Sequence, residues 1–200
     1  MTSMTMLAEH ESPGMDAAQV AALVIADELT GYDFEVRDPE QSLCLKVTSA
    51  PGILCEILVR ADGLVEWECR PCDISQADPA WTAGAVLSLL GADAQAQPAA
   101  TPAGQSSFTS VVGQMLADHG MDVSVKVYQR VFEVYTEIHV TNPGHPGRGF
   151  ARVANDGLVL WQCQFTGQSG NVTGLDPAEI ARMVAQALTK GVMEPQQQPG

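Results

Sequence analysis

The residue types best suited to chemistry are the cysteines, two of which stand in the stretch Cys69-Arg70-Pro71-Cys72. A C-x-x-C spacing can carry a redox-active thiol pair or supply two thiolates to a metal. The redox use needs a helix N-terminus beside the leading cysteine to lower its thiol pKa. Here the pair leaves a β-rich run, and the next helix signal comes only at Asp78-Pro79. The metal use needs four ligands, and no second C-x-x-C or histidine pair stands at a suitable spacing. With Cys44, Cys55 and Cys163 the count is five, an odd number that favours reduced thiols over a disulfide framework. Cys44 and Cys55, on neighbouring predicted strands, read as small buried hydrophobes.

The loop Asn142-Pro143-Gly144-His145-Pro146-Gly147-Arg148-Gly149 is the second candidate. His145 and Arg148 in it could bind an anion or an acidic side chain. His119, near a helix end, and His139, on a strand, read as surface residues. No serine or cysteine nucleophile can be placed beside a base by spacing. Glycine patterns that cradle phosphates are absent as well, which disfavours nucleotide enzymes. An enzyme acting on a small molecule or metal through Cys69, Cys72 and His145 is therefore the alternative reading; no catalytic residue, metal or cofactor is expected on the main one.

Charge is the third signal. The chain has 10 Lys+Arg and 24 Asp+Glu, a net charge of −14. Residues 1–93 hold 4 basic and 16 acidic residues, a balance of −12, whereas residues 94–200 hold 6 and 8, a balance of −2. The acids of the first part fall on strands and turns, Glu35, Glu56, Glu66 and Glu68 among them, and predict a negative sheet surface. Such a face suits a partner protein with a basic segment, through an attraction that salt screens. Glu35, Glu56, Glu66, Glu68, His145 and Arg148 are the expected partner-binding residues. A balance of −14 repels phosphate backbones, which excludes nucleic acid as a direct partner. Calcium is disfavoured because no D-x-D-x-D-G array supplies its oxygens.

The elements that must hold these residues follow from an internal repeat. Val59-Arg60-Ala61-Asp62-Gly63-Leu64-Val65-Glu66-Trp67-Glu68-Cys69 matches Val153-Ala154-Asn155-Asp156-Gly157-Leu158-Val159-Leu160-Trp161-Gln162-Cys163 at Val, Asp-Gly, Leu-Val, Trp and Cys. Asp78-Pro79-Ala80 matches Asp176-Pro177-Ala178, and Ala26-Asp27 matches Ala117-Asp118. The copies are assigned to residues 16–93 and 106–192, joined by a proline-bearing linker at 94–105, with disordered ends at 1–15 and 193–200.

Within the first copy, Asp16 with Gln19 opens a helix that ends near Gly31. Short β-rich runs follow at Phe34–Val36, Leu43–Val47, Ile53–Val59 and Leu64–Cys69. The Asp-Gly pair before the last strand of each copy predicts a tight type I′ hairpin. Asp78-Pro79 and Asp176-Pro177 each open a closing helix, the aspartate as cap and the proline where no donor is needed. Ile180, Met183, Val184, Ala187 and Leu188 form one apolar stripe on the last of these. The fold class is thus α+β, two tandem α-β-β-β-β-α repeats, each an antiparallel sheet with helices on one face, packed as a pseudo-twofold pair. Val65, Trp67 and Cys69 share the covered face, as do Val159, Trp161, Cys163 and Phe165, while Glu66 and Glu68 point the other way.

This element order, with Asp62-Gly63-Leu64-Val65 before a strand, resembles the YbjN and type III secretion chaperone-like group. The resemblance implies a non-enzymatic protein that binds other polypeptides through its sheet and helix surfaces; it carries over no catalytic or metal-binding residue. The usual chaperone is a single copy that dimerises, whereas here both copies lie on one chain, so both a monomer and a homodimer remain open.

With 200 residues, 46% of them hydrophobic, the chain suits one domain or two small ones. No run reaches the ~20 apolar residues that span a bilayer, and Met1–Met6 lacks the basic and apolar regions of a signal peptide. A cytoplasmic location without membrane insertion is expected, and the Ala-, Gly- and Val-rich composition points to a bacterial source.

Overall fold

The computed structural model describes residues 17–30, 32–37, 42–50, 52–92, 107–129, 131–165 and 174–190. The ends and linker expected at 1–15, 193–200 and 94–105 lie outside these residues. In chain order the elements are α1 (Ala17–Glu28), β1 (Asp33–Arg37), β2 (Ser42–Ala50), β3 (Ile53–Arg60), β4 (Leu64–Pro71), α2 (Pro79–Leu89), α3 (Phe108–Asp118), β5 (Asp122–Gln129), β6 (Val134–Thr141), β7 (Phe150–Ala154), β8 (Val159–Gln164) and α4 (Pro177–Lys190). Short 3₁₀ turns at Ile74–Gln76 and Pro146–Arg148 add to the α-β-β-β-β-α order in each half.

The strands form one antiparallel sheet in the order β1-β2-β3-β4-β8-β7-β6-β5. This corrects the expectation of two separate sheets. β4 and β8 each close a meander and would leave a row of unpaired N–H and C=O groups, and pairing the two rows satisfies both. The join places Trp67 opposite Trp161, Val65 opposite Cys163 and Cys69 opposite Val159.

The helices lie on one face of this sheet. Along β4 and β8, Val65, Trp67, Cys69, Val159, Trp161 and Cys163 are buried, and the residues between them are half-buried or exposed. α1 packs against α4, and α2 against both α3 and α4, so helices of each half rest on those of the other. Tyr32 Oη donates to the Ala185 carbonyl at 3.3 Å across this contact. Both halves therefore share one core, with the two tryptophans at its centre. Burying such large side chains is worth about 1.5–3 kcal/mol each, the main favourable contribution to folding.

Local chemistry explains the element ends. Asp78 Oδ1 accepts from the Ala80 N–H at 2.8 Å and Asp176 Oδ1 from the Glu179 N–H at 2.8 Å, as capping aspartates should. The stripe Ile180, Met183, Val184, Ala187 and Leu188 is buried. The Asp-Gly turns differ from the expected type I′. Only the glycines have positive φ, +84° at Gly63 and +82° at Gly157, and the Gly63 and Gly157 amides donate back to Arg60 and Ala154. Each is a type I turn closed by a left-handed glycine, a longer loop than a two-residue hairpin. The aspartates then need no strained backbone and use Oδ1 to accept from the Leu64 and Leu158 amides.

Candidate functional site

The uncovered face of the sheet is built by strand alternation and by register. On β3 it presents Glu56 and Leu58, on β4 Glu66 and Glu68, on β8 Leu160 and Gln162, on β7 Phe150 and Arg152, and on β6 Glu137, His139 and Thr141. One row across the strands reads Glu56, Glu68, Leu160, Arg152, His139. Its neighbour reads Leu58, Glu66, Gln162, Phe150, Thr141. The face thus runs from an acidic side, through apolar and amide groups at the β4–β8 join, to a mixed side with a cation.

On the acidic side Glu56 and Glu68 stand directly opposite each other across β3 and β4. On its other side Glu56 stands opposite Lys46 of β2, so the row alternates in charge there and ends on the acid of β4. Glu66 accepts a hydrogen bond from Gln162 Nε2, which ties β4 to β8. On the other side Glu137, only 12% exposed at its side chain, holds His139 Nε2 at 3.0 Å and Arg152 Nη1 at 3.7 Å. Arg152 Nε is buried with no partner among the described residues. His139, Thr141, Phe150, Arg152 and Gln162 line a shallow, open concavity of about 440 Å³. His139 is therefore held in a polar cluster, not merely a surface residue.

The expected site residues fall into three groups. Glu56, Glu66 and Glu68 share the uncovered face. Glu35 is on β1, opposite Lys46 of β2, and its side chain lies outside the described ones. His145 and Arg148 are elsewhere. Arg148 turns toward the helices, where its Nη2 meets Glu179 Oε1 of α4 at 2.8 Å and its carbonyl accepts from Trp161 Nε1 at 2.8 Å. His145 is exposed in the same loop. Asn142 anchors that loop, with buried Nδ2 donating to the Leu90 carbonyl at 2.7 Å. Gly149, at φ +80°, lies so close to β8 that a Cβ would stand 1.9 Å from the Gln162 carbonyl oxygen. The polarity of this loop is spent on holding it against α2 and α4.

The cysteines do not converge. Cys69 is buried opposite Cys55, and burial and that neighbouring thiol push its pKa up, away from thiolate. Cys72 is exposed past the end of β4. Cys163 is pushed up to about 12 by burial, with a smaller opposing effect of Arg148. Cys44 lies on β2, its side chain outside the described ones. His145 precedes β7, while Pro71, next to Cys72, touches Gly157 beyond its other end. Cys72 and His145 therefore sit at opposite ends of a strand, and no group of three or more His, Cys, Asp or Glu that could hold a metal occurs among the described residues.

Sequence reasoning missed Arg152, Glu137 and Gln162. Alternation could have placed Arg152 on the open face, but its neighbours come from strand pairing that no local signal specifies. No described helix is long and apolar enough to cross a membrane. Compared with models of known families, with curated proteins and with solved structures, the chain finds no match.

Proposed function

We propose that the protein is a non-catalytic binding module that docks a partner polypeptide with a basic segment on the uncovered face of its sheet. The observation that carries this reading is the opposed pair Glu56 and Glu68, with Glu66 beside them, on a face that no described helix covers. Three carboxylates in adjacent rows make this part of the face negative, and a lysine- or arginine-bearing segment laid across them is attracted by it. Leu58 and Leu160 next to them supply apolar contact, and the concavity around Phe150 and Arg152 gives the segment a place to end.

On this proposal residues 16–93 and 106–192 are copies of one unit, related by a pseudo-twofold axis between Trp67 and Trp161. The pairing of Val65 with Cys163 and of Cys69 with Val159 supports it, because an exchange of the halves maps each pair onto the other. The resemblance to the YbjN and type III secretion chaperone-like group agrees with a polypeptide-binding role in the cytoplasm.

The test is affinity purification of the tagged full-length chain from its native cells at low and high salt, with metal analysis of the same sample. A stoichiometric protein partner is expected at low salt and is lost at high salt. The triple variant Glu56→Gln, Glu66→Gln, Glu68→Gln should lose it at low salt, while Asp118→Asn, Asp122→Asn should keep it. Stoichiometric zinc or iron without a partner would overturn the reading.

A further inference from the structure

We infer that the free edge of β5 is a homodimer interface, at which a second copy of this chain adds its own β5 in antiparallel register. The inference is independent of the docking face proposed above, since it uses the backbone edge of the sheet and not its open face.

Among the described residues β5 is an edge strand, paired with β6 alone, and all but one of its residues are exposed. Six of the nine large hydrophobic residues exposed among those described lie between residues 125 and 134. Val125, Val127 and Val134 are on the helix-side face but escape cover by α3, with Val125 63% and Val127 64% exposed. Tyr128 and Tyr135 pack their rings on the other face at 6.3 Å. Val131 and Phe132, the latter wholly exposed, form the tip. Proteins blunt a free edge with proline, bulges, inward charges or charges along the strand, lysine above all; the one base that β5 offers is Lys126, which stands opposite Glu137 of β6. β5 has no proline, pairs with β6 without a register shift and carries apolar residues on both faces. Such an edge needs a cover.

Charge selects the occupant. β5 holds one acid and one base, Asp122 and Lys126, in a chain of −14, so it does not call for the basic segment that suits Glu56, Glu66 and Glu68. It fits a strand of its own kind, neutral, apolar and of equal length. With Val125 facing its own copy, Val123 faces Val127, Ser124 faces Lys126 and Asp122 faces Tyr128. No like charges oppose one another, and the apolar face continues across the seam. The tip of each hairpin then extends past the start of the partner's β5, beside the end of its α3, where Phe132 and Val131 find cover. The β4–β8 join already extends the sheet in this manner within one chain. A symmetric pairing of this type is the commonest way for one surface to close on itself.

The test is sedimentation equilibrium of the full-length chain from about 1 to 200 μM, a range of ordinary association constants. The expected mass is twice the 21.2 kDa of one chain. The double variant Val125→Lys, Val127→Lys, at exposed positions, should run as a monomer at every concentration with an unchanged far-ultraviolet circular dichroism spectrum. In a Cys72→Ser background, Val125→Cys should give an interchain disulfide under mild oxidation, because opposed strand residues have the Cα spacing it needs. A wild-type chain that stays monomeric would sink the inference, whether its β5 amides exchange freely or are protected by another segment of the same chain. So would a dimer that survives the double lysine variant, or one in which the introduced thiols fail to cross-link.

Discussion

The β3–β4 and β7–β8 hairpins are built alike on the face that meets the helices and unlike on the face that does not. Both turn through a left-handed glycine, Gly63 or Gly157, and both bury a tryptophan and a cysteine against the helix layer. On the other face Glu56, Glu66 and Glu68 of the first stand where the matching positions of the second are Phe150, Leu160 and Gln162. The covered face is held to one solution by close packing, where a single methylene is felt. The uncovered face is not held in this way and is free to differ. The tryptophans add a second contrast. Trp161 Nε1 donates to the Arg148 carbonyl, whereas Trp67 Nε1 is buried without a partner among the described residues.

The loop that supplies the Trp161 bond is the largest difference between the two hairpins' surroundings. Gly149→Ala forces a Cβ into the β8 backbone at a positive φ, and should cost more than about 3 kcal/mol, read as a large fall in the urea midpoint. Gly120→Ala, at φ +78° with open space around it, pays only for its backbone conformation and should cost about 1 kcal/mol. Trp161→Phe should be more destabilising than Trp67→Phe by about 1–2 kcal/mol, since the first leaves the Arg148 carbonyl short of a donor and the second removes an unpartnered one. Equal losses would mean that the indole bond is immaterial.

The matched thiols Cys69 and Cys163 make stability depend on pH. Burial raises both Cys69 and Cys163, the latter to about 12. A raised thiol contributes stability that is complete below its unfolded pKa of about 8.5 and declines as pH climbs toward the folded value. Unfolding free energy should therefore drop above pH ~8.5 by up to about 1.4 kcal/mol per unit for each thiol, and Cys163→Ala should flatten the slope by one share through pH ~11. In native protein at pH 7.5, peptide mapping after brief alkylation should find Cys72 modified and Cys55, Cys69 and Cys163 intact. The smallest effect belongs to the acidic face. Glu68→Gln should raise stability by no more than about 0.5 kcal/mol, because the Glu56 that it opposes also stands opposite Lys46 of β2, while weakening the proposed partner; a loss of stability would show that the two glutamates are not in conflict.

Much of the scaffold was legible from local signals. The capping pairs Asp78-Pro79 and Asp176-Pro177, the stripe from Ile180 to Leu188 and the alternation around Trp67 and Trp161 each depend on neighbours within a few residues. The type of the Asp62-Gly63 turn was misread because the same dipeptide serves two loop lengths, and the strand register selects between them. Among candidate site residues, Glu66 and Glu68 were legible because alternation along β4 puts them on one face, whereas Glu56 joins them only through the register of β3 on β4. Arg148 was not, because its partner Glu179 is brought to it by the docking of α4.

What the sequence determined by itself was the inventory: helices and strands in order, which face of each is apolar, and a first half far more acidic than the second. These are properties of short segments, set by periodicity, capping and composition. Only the tertiary structure decided that β4 and β8 join two meanders into one sheet, that Glu137, His139 and Arg152 meet, and that β5 is left bare. Backbone hydrogen bonding between strands carries no residue code, so which edges pair and which stay open is settled when the whole core closes around Trp67 and Trp161.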